Sequence, residues 1–327
     1  MDSSLNTQFS DLGDSRRWTI TYTVLVGINL LLILPFTFFV LRTRSLRDPS
    51  RRFLKWLKLA FWLFFITLAL ALSVLIITTC ALHDISITTT TARATYHLAY
   101  LTELFRTLSA AATMVFLFEL GPGIRHAVKG SFRNHDKLTR YWALFLFFVV
   151  SALAIAYYAL MVDLNENYSN RLGQVDWFSY GGEAQKKSKT VKELVAATQI
   201  ILFAAALMIM GVAVWTWMRR RVSVVRSVAT MYLVASFLNL ISQTWNFAYA
   251  IKWLLLADEP HRPWVFVLQA ILGWWMRGFL LIIGYLIAKR SAERGGVWSV
   301  PVLHKGAAMP GASRRYDGDY RMNQSTY

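Results

Sequence analysis

The chain has 327 residues, of which 56% are hydrophobic and 16% charged, with mean hydropathy +0.40 and a formal net charge of +17. That apolar content exceeds what one water-soluble core of this length needs, so the expected fold class is an all-α integral membrane protein. One cysteine, Cys80, excludes an internal disulfide, and the histidines at 83, 97, 126, 135, 261 and 304 show no metal-ligand spacing, so no metal or other cofactor is expected.

Residues 1–17 are polar and acidic, with no basic segment leading to a cleavage site, so no removable signal peptide is expected and the first span serves as its own insertion signal. A helical span needs about 20 apolar residues. Seven stretches qualify in chain order: Trp18–Leu41, Trp56–Leu82, His97–Leu120, Tyr141–Val162, Val191–Met218, Val225–Ile251 and Trp264–Ala288. The expectation is a seven-transmembrane helix bundle over 18–288, preceded by an outer tail (1–17) and followed by a cytosolic, basic, disordered tail (289–327). Apart from Asp163–Thr190 the connections are short, which leaves no room for a second domain.

Charge sets the expected threading. Segments 42–58, 121–140, 218–226 and 289–327 hold 23 Lys and Arg against 5 Asp and Glu, whereas 1–17, 82–96, 163–193 and 252–263 hold 10 against 11. The positive-inside rule then places the N-terminus outside and the C-terminus in the cytosol. The sequon Asn167-Tyr168-Ser169 falls in an outward loop, so Asn167 is the candidate glycosylation site; Asn323 also matches but would face the cytosol. The basic inner loops suit anionic lipid or a cytosolic partner, and the bilayer itself, rather than nucleic acid, accounts for the net charge.

Three spans carry polar stripes. The third has Tyr96, Tyr100, Glu103, Arg106, Thr107, Ala110 and Thr113 on one face. The sixth has Ser236, Asn239, Gln243, Asn246 and Ala250, with Ser242 and Tyr249 beside them. In the seventh, Gln269, Ala270, Gly273, Arg277, Leu281, Gly284 and Ala288 share a face that is polar toward its start and small toward its end. Ionisable groups in hydrocarbon are costly, so Arg277 should face the interior and lean toward Glu103. Gln199 and Asn29 are further candidates for the same chamber, while Glu119, near the far end of the third span, is expected to partner basic loop residues.

Because the three stripes lie in one half of the membrane, the expectation is an outward-facing polar pocket formed by Arg277, Glu103, Arg106, Asn239, Gln243, Asn246 and Gln269. Its ligand would be small and lipid-like or anionic. The leading functional expectation is a receptor-like or sensor protein of the plasma membrane or an endomembrane; the alternatives are a transporter or lipid exporter, and third a membrane-embedded enzyme such as a terpene cyclase with Glu103 as its acid. The seventh span has Arg277 where a retinal Schiff base needs a lysine, the Asp-Arg-Tyr and Asn-Pro-x-x-Tyr signatures of G-protein-coupled receptors are missing, and no paired Pro-Gln turns of a three-plus-one-plus-three sugar transporter occur.

Overall fold

The computed structural model describes residues 2–43, 51–81, 89–129, 134–168, 177–218, 223–255, 264–289 and Trp298. The side chain of Asn167, the loop residues 44–50 and 219–222, and Asn323 lie outside the described residues. A helix stands at each of the seven expected positions: α1 (Asp2–Arg42), α2 (Phe53–Ala81), α3 (Thr89–Lys129), α4 (Asn134–Tyr168), α5 (Trp177–Met218), α6 (Ser223–Tyr249) and α7 (Trp264–Lys289). A π-helical segment, Ala250–Leu255, prolongs α6, and another, Gln269–Trp275, interrupts α7 near its start. The upper end of the bundle is defined here as the end at which α1, α3, α5 and α7 begin.

Six helices are long and apolar enough to cross a membrane; among the described residues α6 does not meet that criterion. Its amide and hydroxyl stripe, Ser236, Asn239, Ser242, Gln243 and Asn246, lowers its hydropathy, and all five residues are at most 4% exposed. These groups face other helices, while Val234 and Phe237 on the opposite side of α6 are exposed, as are apolar side chains of the outer helices. Examples are Leu31 on α1 and Phe148 on α4, 72% and 68% exposed. Such exposed aliphatic and aromatic faces suit lipid, because a helix satisfies its own backbone hydrogen bonds without water.

Helices overshoot the hydropathy maxima. The segment expected as a long outer loop, Asp163–Thr190, is helical up to Tyr168 and again from Trp177. Ion pairs hold these polar extensions side by side. Lys187 on α5 meets Asp163 on α4 at 2.6 Å, and Glu166 on α4 pairs with Arg93 and, at 3.1 Å, with His97 on α3.

The central element is α3: 94% of its most apolar stretch is buried, against 11% for α4. It packs on α2, α4, α5 and α6, while α7 fills the remaining gap between α1, α2 and α6. The lower half of this packing is dry. Phe53, Leu57, Phe61 and Phe64 of α2 meet Phe116, Leu117 and Leu120 of α3, all at most 1% exposed. Pro122 sits inside α3, which continues through it to Lys129 although the sequence suggested a loop from 121 onward. Here the Tyr232 hydroxyl donates to the Leu117 carbonyl at 3.1 Å, and Gly121 leaves the room: a Cβ there would lie 3.1 Å from that hydroxyl. Below it, Arg125 pairs with Asp136, and buried Glu119 faces Arg140 at 3.3 Å. Arg140 is thus the basic partner expected for Glu119, although it stands on α4 rather than in a loop.

Beyond α7 the described residues include Trp298. Trp298 is fully buried, donates its indole N–H to the Ile287 carbonyl at 2.8 Å, and packs its ring 5.1 Å from that of Phe53. It supplies a donor to a carbonyl in the last turn of α7, where no intrahelical donor is left.

The small-residue face of α7 has its tightest point at Gly284. A Cβ there would stand 2.7 Å from Phe116 Cζ and 3.0 Å from Leu57 Cδ1. Gly284→Leu should therefore destabilise the bundle by about 1–3 kcal/mol, read as a lower apparent thermal midpoint in detergent. Gly211→Ala is the control, since nothing stands within 4 Å of its Cβ position. Equal midpoints for the two variants would contradict the close approach of α7 to α2 and α3.

Candidate functional site

The upper half of the bundle holds a cavity of about 340 Å³ between α3, α4, α5 and α6. Its α3 wall is Glu103 and Arg106; its α6 wall is Asn246, Tyr249 and Ala250. Tyr157, Met161 and Leu164 line it from α4 at spacings of four and three residues, and so share one face of that helix. The α5 side presents Ser188, Val191, Lys192, Val195 and Gln199. The volume falls at the small end of the roughly 300–1,000 Å³ typical of small-molecule sites.

The charged centre is a fork. Arg106 donates from Nε and Nη2 to the two carboxylate oxygens of Glu103, at 2.7 and 2.6 Å, and from Nη1 to the Asn246 side-chain oxygen at 3.3 Å. Spacing of three residues brings Glu103 and Arg106 together on one helix face, and the planar guanidinium matches both carboxylate oxygens at once. The pair is 25% and 17% exposed through the cavity, whereas Asn246 behind it is 4% exposed.

Arg277 lies outside the cavity wall. It is 4% exposed and donates from Nη1 to the backbone carbonyl of Arg106 at 3.1 Å. The side-chain pairing with Glu103 that its depth suggested is not formed, because the carboxylate is held on both oxygens by its neighbour one turn along. Among the described residues Arg277 has no ion-pair partner.

The remaining expected site residues divide between the cavity and the dry interior. Gln269 accepts from the Trp245 indole N–H at 2.6 Å and does not line the cavity. It opens the π-helical segment of α7, whose wider turn alters the register in which an α-helical wheel places it. Asn239 and Gln243 are buried beside the cavity rather than in its wall, and each keeps one buried amide atom without a partner, Asn239 Nδ2 and Gln243 Oε1. Of the two further candidates, Gln199 reaches the cavity with its buried Oε1 unpartnered. Asn29 packs instead against Gly278 of α7, with neither amide atom bonded. A Cβ at 278 would come within 2.9 Å of Asn29 Oδ1, so the glycine admits the amide to the helix surface.

Tyr157, Ser188 and Lys192 are cavity residues that the polar-stripe reading missed. Ser188, Lys192, Val195 and Gln199 do follow helical spacing, but the first of them falls in the segment read as a loop. Tyr157 shares its span with the hydroxyls of Tyr141, Ser151 and Tyr158, and nothing in the periodicity singles it out.

Trp274 and Trp275 of the stretch 273–279 tie α7 to α1. Their indole N–H groups donate to the Tyr22 hydroxyl at 2.9 Å and the Leu25 carbonyl at 3.1 Å. Arg277 therefore sits on a helix anchored on one side to α1 and on the other, by its own guanidinium, to α3.

Removing one member of a desolvated charge pair leaves the other uncompensated, so Glu103→Gln should cost more stability than its lost hydrogen bonds alone. A double-mutant cycle of Glu103→Gln and Arg106→Gln should show a coupling of about 1 kcal/mol or more; effects additive within about 0.5 kcal/mol would contradict the fork. Arg277→Leu should still insert, because it removes a group costing about 2.5–3.5 kcal/mol at a span centre. It should nevertheless lower the thermal midpoint by releasing α7 from α3; an unchanged midpoint would mean the Arg277 bond carries no packing energy. Comparison of the chain with known protein families, with curated proteins and with solved structures gives no match.

Proposed function

We propose that the chain is a seven-span membrane protein, N-terminus outside and basic face in the cytosol, that acts as a receptor-like sensor of a small lipid-like or anionic ligand taken into the cavity between α3, α4, α5 and α6. The observation that carries this reading is the exposure of the Glu103–Arg106 fork to a cavity inside the bundle. A fork serving only as interhelical glue would gain from being sealed by apolar side chains, since every group facing the cavity then keeps a ligand or water as its only further partner. The unpartnered Gln199 oxygen on the same wall supports the reading independently.

The seventh span in this proposal is α6, whose polar stripe is shielded by α3, α5 and α7. The threading rests on the loop charges. Signalling would run from the fork through Arg277 to α7, which ends among the basic segments of the lower face. Transport through the same cavity is the second reading, favoured by the π-helical segments in α6 and α7, since wide turns of this kind recur at functional sites. The cyclase reading is less well supported, because both oxygens of Glu103 accept from Arg106, leaving no free acid to deliver a proton.

Small molecules that copurify in mild detergent test the site. Mass spectrometry should find a species retained by the wild type and depleted in Tyr157→Trp, in which the larger ring fills the cavity. An identical profile for the two proteins, both still folded, would contradict a ligand site there. For topology, a fluorescent-protein fusion after Tyr327 should be shielded from a protease added outside intact cells; digestion of the fusion would reverse the threading.

A further inference from the structure

We infer that the cavity takes a single-chain amphiphile with an oxyanion head, a carboxylate or a phosphate monoester, the head held by Arg106 and Lys192 and the apolar body lying along α4. The inference rests on the cavity being a ligand site, and it narrows the ligand to one chemical class.

Charge is the first argument. Two cations, Arg106 and Lys192, and one carboxylate, Glu103, line the cavity; a third cation, Arg277, stands behind the wall, bonded to the Arg106 carbonyl. Glu103 is fully engaged by Arg106, and Lys192 has no ion-pair partner among the described residues. Two pairs of charges near the rim cancel, Asp163 with Lys187 at 2.6 Å and Glu193 with Lys189 at 3.9 Å. The wall is thus left with an excess of positive charge, which an oxyanion neutralises.

Polar satisfaction is the second. Gln199 is 4% exposed and its Oε1 is buried without a hydrogen-bond partner. Either end of a side-chain amide can be presented by a half-turn, so Gln199 can donate to an oxyanion or accept from a hydroxylated head. A buried amide oxygen without a donor is costly, and a head that bonds it would recover that cost.

Shape is the third. From Ser188 to Gln199 the α5 wall spans roughly 16 Å at 1.5 Å per residue, so the cavity is long for its volume. Met161 and Leu164, with the ring of Tyr157, form an apolar strip on α4, and Val191 and Val195 add apolar surface between the polar groups of α5. A long cavity of this volume, with its charged groups on α3 and α5 and an apolar strip on α4, fits one chain rather than the two of a bilayer phospholipid.

The test uses the full-length chain in nanodiscs of phosphatidylcholine, titrated with radiolabelled dodecanoate, dodecyl phosphate, dodecanol or dodecylammonium, with excess unlabelled probe to define saturable binding. One or both oxyanions should bind at least about tenfold tighter than the neutral and cationic probes, and Lys192→Gln should weaken them about tenfold while leaving dodecanol unchanged. Glu103→Gln, which removes the carboxylate competing for Arg106, should tighten them. The preferred oxyanion identifies the head as carboxylate or phosphate. Dodecanol or dodecylammonium binding as tightly as the oxyanions would overturn the inference and leave the ligand cavity standing. Saturable binding of no probe would overturn both.

Discussion

The organisation of this bundle depends on how two guanidinium groups are accommodated beside a single carboxylate in the interior of a helical membrane protein. An unpaired charge in a low-dielectric interior costs several kcal/mol, so the acid must be shared by geometry. Glu103 and Arg106 close on each other along α3, which leaves Arg277 with a main-chain carbonyl as its acceptor. That carbonyl belongs to Arg106 itself, so one residue joins the charged fork to α7. Asn246 completes the arrangement from α6. The most buried helix, α3, is therefore bound by polar contacts to the two helices that carry the other polar stripes.

The two halves of the molecule follow from this constraint. Below the fork the packing is apolar and tight, from Phe61 through Phe116 to Gly284, and Trp298 seals the end of α7 against Phe53. Above it the helices diverge enough to leave a cavity, and ion pairs between the α3, α4 and α5 extensions hold its rim. Arg106, which faces the cavity, is also the residue whose carbonyl holds α7, and α7 reaches the opposite face.

Much of this was legible in the sequence. The hydropathy maxima located all seven helices, and the polar stripes of α3, α6 and α7 placed Glu103, Arg106, Asn246 and Arg277 in the same half of the bundle. Helix ends were not legible, because polar extensions such as 163–168 and 177–190 are helical through interhelical ion pairs rather than apolar content. The acceptor of Arg277 could not be read from residue types, since it is a backbone carbonyl. Gln269 left the expected site because a π-helical turn changed the register, and Lys192 and Tyr157 joined it because a cavity wall is set by packing across four helices. Glu119 was correctly assigned a basic partner, although only the fold could name Arg140.

The most direct measurement is solvent access to the cavity from outside the cell. In a Cys80→Ser background, Val195→Cys places a thiol on the cavity wall, and Ile155→Cys places one on the exposed outer face of α4. The account predicts that a charged, membrane-impermeant thiol reagent added outside modifies Val195→Cys and leaves Ile155→Cys intact. An unreactive thiol at 195 in a folded protein, or equal reaction at both positions, would contradict a water-accessible, outward-facing cavity beside the Glu103–Arg106 fork.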